Sequence, residues 1–345
     1  MPKVSICVPN LNTRPYLPER FETVFNQTFQ DWELVVCDSY SDDGSWEYIQ
    51  ELAAREPRMQ ITQTPRGGIY QGINDCIERA RGELIYIATS DDTIANDCIE
   101  KLVAALNSNA TCDIAHCPLR VIDEVGEGVE FPWAEKSAFA RSTGELLNRP
   151  HIRMAPYDGF LHLGAESVYI SVTQLLIRRS LFERIGVFDT RWGSAGDFHW
   201  AMRAGLVANV VHVPNTWAGW RIRSGQATDL AAMFSMAHRQ KIEAIIDDAI
   251  NVSAPKLSHK LRRLLRGRRR RYYWERWKLQ FELAQHGSRA ARASYLLRRM
   301  ATGSGVAWLY LFRWLRGIGG WDLTSFEIIS YRLRQSGYET LLRPI

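Results

Sequence analysis

Residues 84–88, Leu-Ile-Tyr-Ile-Ala, form an apolar run of strand length with no polar alternation, and Thr89, Ser90, Asp91, Asp92 and Thr93 follow at once. A run of that kind must be covered on both faces, which suits a strand in a parallel sheet with helices above and below. In open sheets of this class ligands bind at the carboxyl ends of the strands, where this chain releases two adjacent carboxylates. Carboxylates crowded at a buried edge repel one another unless a cation sits between them, so a divalent metal with oxygen ligands is one reading. The other is a polar turn with an Asp capping the following helix.

The preceding residues narrow the fold. Val4–Pro9 and Trp32–Cys37 are further apolar strands, and the second also breaks abruptly, into Asp38-Ser-Tyr-Ser-Asp-Asp-Gly-Ser45. Apolar residues recur at helical spacing over Tyr16–Phe29, and helices are also expected over Trp46–Arg55 and Ile69–Arg81. Met59–Thr62 reads as a short strand and Arg66-Gly-Gly68 as a turn. Alternation of strand and helix predicts a doubly wound, mostly parallel sheet. Two strands releasing acidic clusters at the same edge are hard to explain by capping alone. No GxGxxG fingerprint follows the first strand, which argues against a dinucleotide-binding dehydrogenase.

Composition sets the outer limits. The six cysteines show no CxxC spacing, and Cys7 and Cys37 fall inside strands, so reduced thiols in a cytosolic protein are expected. Met1-Pro-Lys-Val-Ser-Ile enters a strand directly, an expectation of no signal peptide. No apolar run approaches the ~18 residues of a membrane span. The net charge of +5 conceals an asymmetry: residues 231–345 hold 22 Lys and Arg against 8 Asp and Glu, and residues 1–230 hold 21 against 30. That predicts two modules, 1–230 and a basic helical region 231–345. Within 262–278, Arg268-Arg-Arg-Arg271 precedes Tyr272, Tyr273, Trp274 and Trp277, a pattern suited to an anionic membrane surface. A solvated helical bundle is the second reading, and nucleic acid is not expected as a partner. Trp308, Tyr310, Leu311, Phe312, Trp314 and Leu315 suggest a second interfacial or dimer-forming helix.

Several motifs together resemble a known family. They are Val-Ser-Ile-Cys-Val-Pro-Asn-Leu-Asn (4–12), Ser-Tyr-Ser-Asp-Asp-Gly-Ser after Asp38, Gly68-Ile-Tyr-Gln-Gly-Ile-Asn74, Ala80-Arg-Gly-Glu and Ser90-Asp-Asp92. Over roughly residues 3–106 their order and separation look like family 2 glycosyltransferases of the GT-A fold. The likeness continues more loosely to about residue 228, through Leu176–Asp189, Gly196-Asp-Phe-His-Trp-Ala-Met-Arg203 and Trp220-Arg-Ile-Arg-Ser-Gly.

The resemblance implies an α/β GT-A domain, Rossmann-like with a mostly parallel central sheet, followed by an α-helical appendage. It implies metal-dependent, inverting, non-processive transfer from a nucleotide sugar, UDP-type, to a hydroxyl of a saccharide or lipid-linked acceptor. Bacterial surface polysaccharide synthesis at the inner face of a membrane fits by analogy. Asp38 would bind the base, with Pro9 and Asn12 as the wall beside it. Asp91 and Asp92 would reach the ribose and a Mg²⁺ or Mn²⁺ ion bridging the phosphates, although Thr89 stands where many relatives carry a further Asp. Asp197 would be the general base, with Gly196 in place of the usual acid before it. Arg66 lies where it could approach the diphosphate, surface solvation being the alternative. Arg221 and Arg223 would contact phosphates, and Trp192, Trp217 and Trp220 would offer rings to sugar faces. His199 and His212 are assigned no role. A nucleotidyltransferase and a non-catalytic scaffold of the same fold remain as rival readings.

Overall fold

The structure, a computed structural model, describes residues 1–130, 147–163, 167–223 and 235–266, most of 278–308 with Phe312, and 342–345. The expected alternation is present: β1 (Val4–Asn10), α1 (Leu17–Phe25), β2 (Trp32–Asp38), α2 (Ser45–Ala53), β3 (Met59–Gln63), α3 (Ile69–Arg79) and β4 (Leu84–Ile87). Every residue of β1, β2 and β4 is buried, as a sheet covered on both faces demands. β1 lies between β2 and β4 and is parallel to both, with Asn10 level with Asp38 and Cys7 level with Ile87. The chain steps outward from β1 to β2 and β3, then returns across β1 to β4. That reversal leaves a crevice at the carboxyl ends of β1, β2 and β4.

Two local features explain departures from a simple apolar pattern. Glu33 is buried in β2 because its carboxylate accepts from the Ser5 hydroxyl (2.6 Å), the Gln60 amide (2.6 Å) and the Arg81 N–H (2.6 Å). It thereby ties three strands to the turn before β4. Helix α3 stops at Arg79 because Ala80 is extended, so the chain turns through Gly82 toward β4. A Cβ on Gly82 would lie 2.6 Å from the Ser5 backbone nitrogen.

The remaining strands enlarge the main sheet and add a small one. They are β5 (Thr93–Ile94), β6 (Ile114–His116), β7 (Leu119–Ile122), β8 (His151–Arg153), β9 (Leu175–Arg178), β10 (Val210–His212), β11 (Ala218–Arg221) and β12 (Leu342–Pro344). The nine-stranded sheet runs β12-β8-β10-β6-β9-β4-β1-β2-β3, and β5-β11-β7 form the second sheet. Between these strands lie α4 (Cys98–Ser108), α5 (Tyr157–His162), α6 (Arg179–Ile185) and α7 (Gly196–Val207).

The described residues of the C-terminal region include α8 (Met236–Ser253), α9 (His259–Arg266) and α10 (Arg289–Ala301). Its first helix is not an independent body. Ile242, Ile245, Ile246, Ala249 and Ile250 of α8 join the same apolar core as the sheet. At the far end, β12 pairs antiparallel with β8, a strand that the helical pattern after residue 230 does not announce. Pro344 is tolerated there because β12 is an edge strand. The expected module boundary at 230 and the aromatic part of the 262–278 segment (Tyr272, Tyr273, Trp274, Trp277) lie outside the described residues. All six cysteines are free and buried. Among the described residues no helix is long and apolar enough to cross a membrane.

Candidate functional site

At the tip of β2, Asp38 is fully buried and its carboxylate organises the loop that follows. Asn10 at the tip of β1 donates its amide to it (2.7 Å), and the Ser41 hydroxyl and N–H donate at 2.6 and 2.9 Å. The turn-holding role of an Asp is therefore realised here, whatever it also offers a ligand. Asn12 adopts a positive φ of 52° and exchanges hydrogen bonds with Asp42, at 2.7 and 3.0 Å. Asn is among the residues that tolerate this conformation. Arg66 crosses the same loop, donating to the carbonyls of Ser39 (3.1 Å) and Tyr40 (2.7 Å) and pairing with Asp42. Asn12, Asp38 and Arg66, distant in sequence, thus close one wall of the crevice, with Pro9 buried in the adjoining strand. Tyr40 was not singled out by the sequence. It sits at φ 53° with its ring 55% exposed, and a non-glycine residue held there is uncommon outside ligand loops.

The two carboxylates after β4 are not equivalent. Asp92 is 2% exposed and is held by the Thr89 hydroxyl and by the Arg221 N–H at 2.9 Å. Burial, then the neighbouring Asp91 charge, push its carboxyl up to about 7. Asp91 is the accessible one of the pair, with Arg223 donating its Nε to it at 2.7 Å. Thr89, in the place of a further acid, thus serves Asp92 rather than leaving a gap. Arg20 of α1 lies nearby and its charge opposes the rise in Asp92. Its guanidinium is buried with no hydrogen-bond partner, an arrangement that costs stability and that no sequence signal revealed.

Arg221 departs from the expected phosphate contact. Its side chain is buried, and it donates to the carbonyls of Asp91 (2.7 Å), Asp123 (2.8 Å) and Glu124 (3.1 Å) and to the Glu19 carboxylate. With its donors spent inside, it fastens the Asp91 loop to the small sheet and to α1. The three tryptophans also separate. The Arg120 guanidinium lies over Trp217 at 4.3 Å, Trp192 packs on His199 at 5.7 Å, and Trp220 is half-buried on β11.

Asp197 lies in the first turn of α7, half-buried, and accepts from the Phe198 N–H at 2.7 Å. Burial pushes its carboxyl up to about 6, against the Phe198 N–H and the Tyr70 hydroxyl, which both favour the ionised form. The Gly68–Asn74 motif links β1 to the segment that carries this carboxylate. Gly72 of α3 packs against β1, where a Cβ would lie 3.2 Å from that of Pro9. Asn74 clamps the backbone of Phe188 in both directions, at 2.8 and 3.0 Å, ahead of the turn into α7. Helix α3 therefore touches both β1 and the segment that leads into Asp197.

A divalent cation fits the Asp91–Asp92 pair on its chemistry: an accessible carboxylate sits beside a buried one whose ionisation is opposed by that neighbour. Two carboxylates do not complete a cage, so further oxygens would have to come from a diphosphate. Among the described residues, the group that gathers three ligand-type side chains within 4.8 Å lies elsewhere, at Asp189, His199 and Asp248. There the Arg191 guanidinium already reaches both carboxylates, at 2.6 and 3.6 Å. His199 Nε2–H donates to the Asp248 carboxylate at 3.0 Å, and the ring is held neutral, at about 4, by burial and then by Arg203. This imidazole, without a role in the sequence, joins α7 to α8.

Comparison with known proteins gives the family and the fold. The family model described as glycosyl transferase family 2 matches residues 5–186, more than half of the chain. A chondroitin synthase of Pasteurella multocida (strain Pm70) is 28% identical over 156 residues, covering 45% of this chain and 16% of that protein. The chain thus spans a small part of that relative. Two solved structures share the fold: S. aureus TarS 1-349 in complex with UDP, and the mannosyltransferase PcManGT from Pyrobaculum calidifontis in complex with GDP-Man and Mn²⁺. The first aligns with a TM-score of 0.52 at 16% identity, covering 97% of this chain and 92% of that one. The second gives 0.52 at 18% identity, covering 99% and 87%.

Proposed function

We propose, from the premise that this chain belongs to glycosyl transferase family 2 and is a glycosyltransferase, that it moves a sugar from a nucleoside-diphosphate sugar to an acceptor hydroxyl in one inverting step. The feature that supports this reading is Asp197, a half-buried carboxylate raised to about 6, on a helix that α3 links to β1. At neutral pH such a group is ionised yet basic enough to take the acceptor's proton as its oxygen attacks the anomeric carbon. No second carboxylate nucleophile is then needed. Asp38, Asn12 and Pro9 wall the base-binding end, and Arg66 braces it. Asp91, rather than the inward-bonded Asp92, would hold a Mg²⁺ or Mn²⁺ ion with the diphosphate. Bound there, the ion supplies the charge that stabilises the departing nucleoside diphosphate. Arg223 guards Asp91 and is the cation placed to meet the phosphates as it lets go. The acceptor is a saccharide or a lipid-linked saccharide of a surface polysaccharide pathway, a reading favoured by the likeness to a chondroitin synthase.

The test is turnover of a panel of UDP-sugars and GDP-mannose with Mn²⁺, read as release of the nucleoside diphosphate. Release from at least one donor, with the product anomer inverted, is expected. No release and no binding from any donor at millimolar concentration overturns the proposal.

The C-terminal helices support a peripheral membrane role. Helix α9 is strongly basic, and Leu297, Trp308 and Phe312 are 59%, 58% and 51% exposed. Basic residues beside exposed apolar ones bind anionic surfaces. Co-sedimentation with vesicles containing phosphatidylglycerol is expected to exceed that with pure phosphatidylcholine, and to fall with salt. Equal partitioning removes the membrane role.

A further inference from the structure

Arg221 stands between the Asp91–Asp92 pair and a third carboxylate, Glu19 of α1. Its backbone N–H donates to Asp92 at 2.9 Å, and its Nε donates to the Asp91 carbonyl at 2.7 Å. Nη1 donates to the carbonyls of Asp123 and Glu124. Of the side-chain donors only Nη2 meets a charged acceptor, the Glu19 carboxylate at 2.5 Å. Among the described residues, this guanidinium forms its ion pair with Glu19 and with neither Asp91 nor Asp92. The two ends of the pair differ in setting: the Arg221 side chain is 1% exposed and that of Glu19 44%. A guanidinium so deeply buried needs a carboxylate beside it, and α1 supplies the one that the Asp91 loop does not. The turn after β7 leaves room for the pair. Gly126 has a φ of 91°, and a Cβ there would lie 3.2 Å from Glu19 Oε1.

We propose that Glu19 is a positioning residue of the metal-binding loop, holding the Arg221 guanidinium away from the Asp91 and Asp92 carboxylates and so leaving both for a divalent cation. This rests on the reading of those two as the metal pair. Arg221 is tied to the loop by its backbone and by Nε, so loss of Glu19 would not send it away. It would leave a buried cation beside two carboxylates, and a pair with either would satisfy it. A guanidinium can take such an oxygen here, since Arg223 already donates to the Asp91 carboxylate at 2.7 Å. The same oxygens would then meet a metal ion with their charge already compensated. Residues one step behind a metal's ligands commonly set its affinity by this route.

Glu19→Gln keeps the size of the side chain and an oxygen for Nη2, and removes the charge. Its new N–H can meet solvent, because Glu19 lines a cavity of about 450 Å³ with Thr23, Arg120 and Trp217. The dissociation constant of Mn²⁺ for the full chain in saturating UDP, read by EPR, is expected to rise about tenfold. Turnover of a UDP-sugar should fall at low Mn²⁺ and recover at high Mn²⁺, as it does when a competitor is displaced. The double variant Glu19→Gln/Arg221→Met separates this from a packing role. It removes the competing guanidinium together with its bonds to the Asp91, Asp123 and Glu124 carbonyls. It is expected to bind Mn²⁺ more tightly than Glu19→Gln alone, where a packing role predicts weaker binding. Unchanged Mn²⁺ affinity in Glu19→Gln overturns the proposal, and so does a further loss in the double variant. Asp91→Asn and Asp92→Asn test the reading beneath. If both bind Mn²⁺ as the wild type does, the metal pair is wrong and takes this proposal with it. If either abolishes binding while Glu19→Gln binds normally, only the proposal fails.

Discussion

Asp197→Asn is expected to lower kcat by a factor of about 10³, within the range that loss of a positioned base produces. Asn keeps the size of the side chain and can still receive the Phe198 N–H bond at its oxygen, so folding and donor affinity should survive. The loss should fall on kcat with KM nearly unchanged, the pattern of an interaction made in the transition state. The pH dependence gives an independent sign. A carboxyl raised to about 6 is protonated below that pH and cannot act as base, so wild-type activity should fall as pH drops through 6. In the Asn variant that limb should disappear. Steady-state release of nucleoside diphosphate across pH 5 to 8 measures both, and a variant with more than about a tenth of wild-type kcat would remove Asp197 from the mechanism.

The second large effect is expected at Asp91. Asp91→Asn should cost about 10² or more in kcat/KM, because metal stabilisation of a leaving diphosphate is worth several kcal/mol. The activity that remains should no longer respond to Mn²⁺. Asp92→Asn should behave differently. Asp92 is buried, with Thr89 and the Arg221 N–H bonded to its two oxygens, so an amide there keeps the Arg221 bond only by turning its NH2 onto the Thr89 hydroxyl, which must then accept instead of donate. That variant should lose Tm first and metal response second. Titration of Mn²⁺ by EPR in the presence of UDP, alongside thermal melts, separates the two. Abolished Mn²⁺ binding in Asp92→Asn with full binding in Asp91→Asn would reverse the assignment.

Much of the first hundred residues was legible because each element obeys one rule. Unbroken apolar strands and helical spacing gave β1, β2, β4 and the helices between them to within a few residues. The two- to four-residue strands of the small sheet carry too few residues for any period to show. Within the site, residue types and order were legible and their partners were not. The resemblance put Arg221 at the phosphates, and the partners it has inside the protein lie about 100 to 200 residues away, where no local pattern points to them. Gly196 read as a lost acid until the Tyr70 ring, from a helix far upstream, accounted for it. His199 had no metal spacing in the sequence, and its carboxylate partner is 49 residues on, in α8. What the sequence conceals is long-range pairing, which carries no periodic signal.

The shared face of α7 and α8 bears on how such enzymes can be recombined. Helix α7, which carries Asp197, shares one apolar core with α8 and is bonded to it through His199 and Asp248. A chimera joined near residue 230 would set α7 of one parent against a foreign α8, and the setting of Asp197 would inherit every mismatch.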